Sequence, residues 1–508
     1  MSTIFDEVDF KVHPTVNVDC VDEIVKQIKA GLAPLKVRKQ LRLSEWAARH
    51  FYLSAESSQK KQRWEAYPPQ IALLDWMGDD HIEELNVIKS ARVGYTKCLM
   101  ASIGYDAEYK RQNQALWLPT DDDSDSICKT EIEPMLEDVK VMRKVLPDLL
   151  KRSKANTLKL KKFLGSMLHL LGGKAAKNYR RITVSKAKLD EIDGFDQQIE
   201  GSSDPVTLAF KRLEGATFPK LIIGSTPRIK GLSHIEGRAL MAQAFMRFRI
   251  DCPHCETEHA LEWGGRDVAH GFKFNSADFD KGADGEVHHL CKHCGVGINQ
   301  AEYLAIWKNG RWVSDCGQYR YNHETGHWFN ADHEPIKAPR HVAAHIWTAY
   351  SPQTTWTQIV REFLQAVKKR KAGDKGPLIG FINETLGETW EDDDTDKIES
   401  DSLKDRAEDY PLGTVPQGGL VLTAGVDVQG NRFEVTTWAH GRGDEKWIVD
   451  YEVIAADPSK ESEWDEKLDP YLLKPFVHQN GQTMHIEGAG IDMMGNFTHH
   501  GYQFVRLH

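Results

Sequence analysis

Lys89-Ser90-Ala91-Arg92-Val93-Gly94-Tyr95-Thr96-Lys97 follows a short apolar run, Glu84-Leu85-Asn86-Val87-Ile88, and precedes a helical pattern from Thr96 to Lys110. A strand that ends in a glycine turn and enters a helix turns backbone N–H groups inward, which is how a phosphate-binding loop is built. The consensus GxxxxGK[ST] also asks for a lysine on the β/γ-phosphates and a hydroxyl on Mg²⁺. Aligning Gly94 with the second consensus glycine puts Lys89 at the first, Tyr95 where the lysine belongs and Thr96 at the hydroxyl. Triphosphate charge concentrated at one spot needs a cation. Lys89, at the mouth of the strand, is therefore expected to replace the missing lysine, with Arg92 and Lys97 as alternatives. Loops of this composition also occur without nucleotide, so the segment needs support from elsewhere in the chain.

Support comes from Leu189-Asp190-Glu191-Ile192-Asp193. Adjacent carboxylates after a strand do two jobs in ATPases: the first holds Mg²⁺ and the second orients or deprotonates the attacking water. The preceding Ile182 to Lys188 is more polar than a buried strand is expected to be, and a solvated turn is the bland alternative. A third element, Ile222-Ile223-Gly224-Ser225-Thr226-Pro227, is an apolar strand ending in hydroxyls, with Ser225 and Thr226 expected to sense nucleotide state. Upstream, Tyr67 and Gln70 in Trp64-Glu65-Ala66-Tyr67-Pro68-Pro69-Gln70 offer an aromatic face and an amide for adenine, or an ordinary proline-rich turn. Three partial matches in this order predict a P-loop ATPase of the additional-strand (ASCE) type binding ATP and Mg²⁺.

The chain has 508 residues, too many for one core. Its 40 % hydrophobic and 28 % charged content is that of a globular protein, and no run approaches the roughly 20 apolar residues needed to span a bilayer. The acidic start, Met1 to Glu7, lacks the layout of a secretion signal, and an intracellular location is expected. The net charge of -10 argues against coating nucleic acid by bulk attraction. Locally, however, Lys151 to Arg181 holds ten Lys or Arg and no acid, a stretch suited to gripping duplex phosphates or to forming a solvated helix face. Val367 to Lys371 is a weaker basic candidate.

Changes in pattern suggest an N-terminal adaptor region at 1–60, an α/β ATPase domain at 61–245, a small irregular metal-organised region at 246–345, a helical linker region at 346–419 and a strand-rich domain at 420–508. In the third of these, Cys252-Pro253-His254-Cys255 and Cys291-Lys292-His293-Cys294 are CxxC knuckles separated by 35 residues. Four thiolates in two knuckles suit a structural Zn²⁺ with no open position, as in a zinc ribbon. The intervening histidines are possible competitors, and a redox dithiol is the alternative. Cys20, Cys98, Cys128 and Cys316 are isolated and expected to be buried.

In the last domain, Val421 to Gln429 reads as a strand carrying Asp427, Asn431 to Ala439 and Lys446 to Ala455 as two more, Ser462 to Leu473 as a helix, and His485 to Asp492 as a strand ending in an acid. Strand-strand-strand-helix-strand with Asp427 and Asp492 on the first and fourth strands is the order of an RNase H-like nuclease. Such carboxylates hold a pair of divalent ions, Mg²⁺ or Mn²⁺, that activate water and stabilise the leaving oxygen. Capping aspartates at strand ends are the alternative.

The displaced-lysine loop Lys89 to Lys97, Asp190-Glu191 and Gly224-Ser225-Thr226-Pro227 together resemble the large subunit of the DNA-packaging terminases of lambda-like tailed phages. Asn383-Glu384-Thr385-Leu386-Gly387-Glu388-Thr389-Trp390 is similar to the segment that joins motor to nuclease in that family. The resemblance implies an ATP-driven motor that packages double-stranded DNA into a procapsid and cuts concatemers, in the host cytoplasm. It also implies a small terminase subunit on the N-terminal region, a portal ring, and a homo-oligomeric ring when active. The family pattern has a further strand and acid beyond the last residue here, so either the nuclease is incomplete or Glu434 or Glu487 supplies the last ligand. The rival expectations are a translocase or helicase-like ATPase without cutting, and a non-enzymatic zinc-ribbon DNA-binding protein.

Overall fold

Leu85 and Val87 pack into one hydrophobic core and Ile88 into another, and the same division holds for Leu116 against Trp117 and for Ile222 against Ile223. Strands buried on both faces read as continuous apolar runs and belong in the middle of a parallel sheet covered by helices. The computed structural model describes residues 23–28, 31, 41–54, 61–147, 153–154, 156–201, 203–265, 268–282, 284–391, 408–492 and 497–507. They fall into two units, Met1–Glu391 and Asp392–His508.

In the first unit, helices α1 (Leu43–His50) and α2 (Pro68–Gly78) lead into β1 (Glu84–Lys89), the nonapeptide loop and α3 (Tyr95–Tyr105). Strands β2 (Gln114–Leu118), β3 (Leu160–Phe163), β4 (Ser166–Gly172), β5 (Lys186–Asp190), β6 (Lys220–Ser225), β7 (Ala244–Asp251), β8 (Arg311–Ser314) and β9 (His341–Ile346) follow. They lie in the order β8-β7-β9-β1-β6-β5-β2-β4-β3, within a sheet of 13 strands among the described residues. From β7 to β4 all neighbours are parallel; β8 and β3 close the run antiparallel. One strand, β6, lies between the loop strand β1 and the Asp190 strand β5, which is the additional-strand arrangement.

Strand β5 is buried throughout although two of its five residues are lysines. Lys186 reaches Asp80 at 2.9 Å and Lys188 reaches Asp106 at 2.6 Å, so each charge enters the interior paired. That pairing is why Ile182 to Lys188 looked too polar from sequence.

Several expected boundaries shift. The chain before residue 60 is not wholly an appendage: Leu43, Trp46 and Ala47 of α1 are buried in the main core, and the Trp46 indole donates to Glu108 at 3.1 Å. Of the helix expected over Val21 to Leu32, residues 23–28 and 31 are described and are helical. Residues 246–345 are not a separate irregular domain, because β7, β8 and β9 are strands of the ATPase sheet, with Val342 registered on Leu85. The expected helix at Trp356–Lys371 (α4) is present and buries Trp356, Ile359 and Val360 in the same core. The expected linker region at 346–419 therefore belongs to the first unit as far as Glu391, and the acidic residues after it fall outside the described residues.

The second unit carries β10 (Val421–Gln429), β11 (Arg432–His440), β12 (Lys446–Ala455) and β13 (Ile486–Ile491) in the order β12-β11-β10-β13. The first three are an antiparallel meander and β13 is parallel to β10, with helical turns from Glu461 to Leu472 between β12 and β13. This is the order read from sequence. Among the described residues, no helix is long and apolar enough to cross a membrane.

Candidate functional site

The nonapeptide loop closes over the end of β1. Arg92 and Gly94 both take positive φ, 60° and 78°, and Gly94 caps α3 in the left-handed region that glycine adopts without strain. Ser90 N–H donates to Ile346 O at 3.0 Å and Ala91 N–H to Glu384 O at 2.7 Å, which fixes the loop's first turn. The N–H groups of Arg92 to Thr96 have no hydrogen-bond partner among the described residues. They are the donors a phosphate would need.

Lys89 is buried at the strand end, and its ammonium bonds the Glu191 carboxylate and lies 3.7 Å from Asp190 Oδ1. Burial works against its charge, yet the two carboxylates outweigh burial and hold its pKa above the ordinary lysine value. Asp190 responds the other way: burial, opposed by Lys89 and reinforced by Glu191, pushes its carboxyl up to about 6. Glu191 sits at φ 54° on the turn, half exposed, and accepts from Thr226 Oγ1 at 3.4 Å. The lysine, the Asp-Glu pair and the hydroxyl-bearing end of β6 therefore meet at one point.

Tyr95, the residue at the consensus lysine position, is buried, with the Lys89 ammonium 5.3 Å from its ring centre. A Cβ added at Gly224 would collide with the Tyr95 phenol. The ring thus fills the space under Lys89, and Gly224 is the size-matched residue across the sheet. Lys97, an alternative cation in the sequence, turns instead to Glu131 at 2.6 Å. Gln70 is also committed elsewhere: its carbonyl accepts from Tyr67 N–H at 2.8 Å and its amide donates to Val93 O at 2.8 Å. It clamps the loop from behind, and the Tyr67 ring packs near Trp307 at 5.6 Å. Ser225 Oγ accepts from Asp193 N–H at 3.2 Å and donates to Thr226 O at 2.9 Å. It ties the end of β6 to the turn after Glu191.

A cleft of about 590 Å³ opens above these groups, with Thr96, Asp190, Glu191, Thr226, Arg228 and Glu384 on its wall. Arg228 and Glu384 were not singled out as site residues from sequence. Glu384 lies in the quoted segment Asn383 to Trp390, but nothing in its spacing tells that this segment crosses the phosphate loop. Partial burial and the Glu191 charge raise its carboxyl.

The four knuckle cysteines come together, all sulfurs within 4.8 Å of one another. Cys252 and Cys294 sulfurs are 3.7 Å apart and Cys255 and Cys291 sulfurs 3.9 Å. Tetrahedral Zn–S bonds of about 2.3 Å imply sulfur edges of about 3.8 Å, so the donor set fits the ion. The two turns are built alike: Glu256 N–H donates to Cys252 O and Gly295 N–H to Cys291 O, both at 2.9 Å, and both donors have positive φ. The first knuckle leaves directly from β7, so this site staples an excursion of the ATPase sheet. His254 and His293 are not in the cluster. Among the isolated cysteines Cys98 and Cys128 are buried as expected and Cys316 is exposed; Cys20 lies outside the described residues.

In the second unit Asp492 N–H donates to Val426 O at 2.9 Å, which extends the β10–β13 pairing and sets Asp492 beside Asp427. Glu434 is the direct cross-strand partner of Asp427 on the other side. Asp427 is exposed and accepts from Gln429 at 2.6 Å. Glu434 is held by Arg432 at 2.7 Å and Tyr451 at 2.9 Å. Glu487 is exposed on β13, beside the register shift opposite Leu422 and Thr423.

A phosphate loop closed by a lysine–carboxylate pair on an additional-strand sheet, followed by a four-stranded unit with a row of acids, defines an ATPase joined to a nuclease. Residues 57–312 match the family described as phage terminase large subunit gpA, ATPase domain, and residues 341–508 match terminase large subunit gpA, endonuclease domain. The chain is 38 % identical over 478 residues to the terminase large subunit of Escherichia phage lambda, covering 92 % of this chain and 71 % of that protein. It is also 38 % identical over 489 residues to that of Enterobacteria phage P21, covering 95 % and 73 %. The large terminase of the thermophilic bacteriophage D6E aligns at 13 % identity and TM-score 0.29, over 87 % of this chain and 79 % of that one. The chain belongs to the gpA family of phage terminase large subunits and carries its ATPase and endonuclease domains. The endonuclease match begins at residue 341, inside the ATPase sheet, where β9 pairs with β1.

Proposed function

We propose that ATP binds at Lys89-Ser90-Ala91-Arg92-Val93-Gly94-Tyr95-Thr96-Lys97, with Lys89 as the displaced P-loop lysine and Glu191 as the group that activates water. The observation that carries this reading is the contact of Lys89 with Asp190 and Glu191 across β1, β6 and β5. Thr96 and Asp190 would hold Mg²⁺, which supplies charge neutralisation to the phosphates. The free N–H groups from Arg92 to Thr96 bind phosphate oxygens, and Lys89 moves from the carboxylates to the phosphates as the nucleotide enters. Glu191, released, takes the proton of the attacking water. Ser225 and Thr226 feel that release through the Thr226–Glu191 contact and pass it into β6. Tyr67 and Gln70 support the loop.

Asp427 and Asp492 would hold divalent ions, Mg²⁺ or Mn²⁺, which supply water activation and leaving-oxygen stabilisation for phosphodiester cleavage. Glu434 completes that row once Arg432 lets go. The four cysteines would hold a structural Zn²⁺. By this reading the ATPase body extends from about residue 41 to Glu391 with the zinc staple inside it, and the nuclease follows. The wider assembly, in the host cytoplasm, is a ring of this subunit on double-stranded DNA, with a small terminase subunit at the N-terminal region and a portal ring on the procapsid. Duplex phosphates are gripped by Lys174, Lys177, Arg180 and Arg181. All four are exposed and make no ion pair with a described residue, whereas Lys159 and Lys161 of the same basic stretch are paired with Asp121 and Glu133.

DNA-stimulated ATP hydrolysis and plasmid cutting by Glu191→Gln and Asp427→Ala test the division of labour. Glu191→Gln should lose ATP turnover by on the order of 10²–10⁴ fold, as for a missing general base, and keep the cutting. Asp427→Ala should do the reverse. Cutting by Asp427→Ala at the wild-type level would favour a translocase that does not cleave.

A further inference from the structure

The nucleotide cleft is short of positive charge. Four carboxylates, Asp123, Asp190, Glu191 and Glu384, line it, and a triphosphate brings more negative charge to the same place. Lys89 is buried and engaged by two of these acids, and Lys97 is paired with Glu131. Among the described residues, the basic side chain on the cleft wall is Arg228. It directly follows the Ser225-Thr226-Pro227 end of β6. A Cβ added at Gly194, just past the Asp190-Glu191 turn, would lie 3.8 Å from the Arg228 guanidinium. That guanidinium makes no ion pair or hydrogen bond with a described residue.

The backbone of Arg228 is held unusually firmly for an exposed residue. Its N–H donates to Asp193 Oδ2 at 3.0 Å. Its carbonyl accepts twice, from Asn383 Nδ2 at 2.8 Å and from Trp390 N–H at 2.7 Å. The segment that supplies those donors is itself tied to the phosphate loop through Ala91 N–H and Glu384 O. A Cβ at Gly387 would sit 3.1 Å from Ser90 N, so the same segment lies against the loop backbone. A fixed backbone with a cationic side chain that feels the Glu384 charge but is bonded to no described residue, at the mouth of an acidic cleft, is the arrangement of a preorganised anion donor.

We propose that Arg228 is a catalytic residue of ATP hydrolysis in its own subunit, donating to the γ-phosphoryl oxygens, and that Asn383 is the positioning residue that holds it there. The inference rests on the assignment of the ATP site to Lys89, Asp190 and Glu191. In the step concerned, the water oxygen bonds to the γ-phosphorus, the bond to the β–γ bridging oxygen breaks, the water proton passes to Glu191, and ADP leaves. Arg228 offsets the charge that gathers on the γ-oxygens in that passage. A donor to the γ-phosphoryl oxygens alone acts on turnover more than on affinity for MgADP.

Steady-state ATP hydrolysis and MgADP titration of the full-length protein test the assignment, using Arg228→Ala, Arg228→Lys, Asn383→Ala and Glu191→Gln. Arg228→Ala should lower kcat by on the order of 10²–10³ fold, the usual loss for one preorganised donor. Its affinity for MgADP should stay within a few-fold of wild type. Arg228→Lys should recover part of the rate, and Asn383→Ala should lower kcat less than Arg228→Ala without moving KM. A wild-type kcat for Arg228→Ala would overturn the assignment, as would equal losses of MgATP and MgADP affinity at unchanged kcat. If Asn383→Ala raises KM alone, the positioning role falls. Full turnover by Glu191→Gln would instead defeat the site on which the inference rests.

Discussion

In the ATPase cleft Lys89 is held between Asp190 and Glu191 in a largely buried contact. On the nuclease sheet Asp427 stands exposed, and the acid opposite it, Glu434, is turned aside to Arg432 and Tyr451. The first site is a closed contact between opposite charges; the second is an open row of carboxylates. The difference follows from position in the fold. Asp190 ends a strand buried on both faces, where an unpaired carboxylate is costly. Asp427 lies on the exposed face of β10, where water screens it.

Breaking the closed site from its interior should have the largest effect on stability. Gly224→Ala drives a methyl into the Tyr95 phenol beneath Lys89, and the overpacking should cost about 1–3 kcal/mol with loss of ATP turnover. Chemical denaturation together with the ATPase rate checks it; an unchanged midpoint and rate would mean that Tyr95 does not support Lys89. The cysteine cluster offers an intermediate case, a set of like charges that is closed only when an ion is bound. Cys291→Ser, or chelation, should release one zinc per chain and lower the melting temperature of the first unit, while Asp427-dependent cutting persists at temperatures where the second unit stays folded. Zinc analysis with a melting curve reads both. The smallest effect is expected in the open site: Arg432→Ala frees Glu434 and should lower the Mg²⁺ concentration needed for cutting by a few-fold. A raised requirement would mean that Arg432 serves DNA or folding instead.

Much of this was legible in the sequence, for reasons that differ between regions. The knuckles could be read because metal ligation requires four thiolates at short spacing, and they converge in space. Val421–Gln429 and Trp356–Lys371 could be read to the residue because their burial pattern is written in their own periodicity. The phosphate loop was readable only in combination with Asp190-Glu191 and Ser225-Thr226, since its consensus lysine is a tyrosine. The reason for that tyrosine, the fit against Gly224 two elements away, is a tertiary fact. Gln70 reads from sequence either as an adenine contact or as part of a turn, because a buried amide clamped to Val93 O and an amide facing a ligand look the same in one dimension. Residues 246–345 read as a separate region because the inserted knuckles interrupt the strands of the sheet. Sequence proximity hid that they pair with β1 or with one another in one sheet. Arg228 and Glu384 carried no local signal: Arg228 follows β6 but is fixed by Asn383 and Trp390, and Glu384 reaches the cleft on a segment that returns to the loop from far along the chain.

ATP hydrolysis by Lys89→Ala, measured beside Lys97→Ala under the same conditions, tests the central claim most directly. If Lys89 replaces the P-loop lysine, Lys89→Ala loses turnover by on the order of 10² fold or more, as expected for removal of a preorganised phosphate donor. Lys97→Ala, which releases Glu131, then keeps a rate close to wild type. Full activity in Lys89→Ala with loss in Lys97→Ala would contradict the account and move the cation to the other end of the loop.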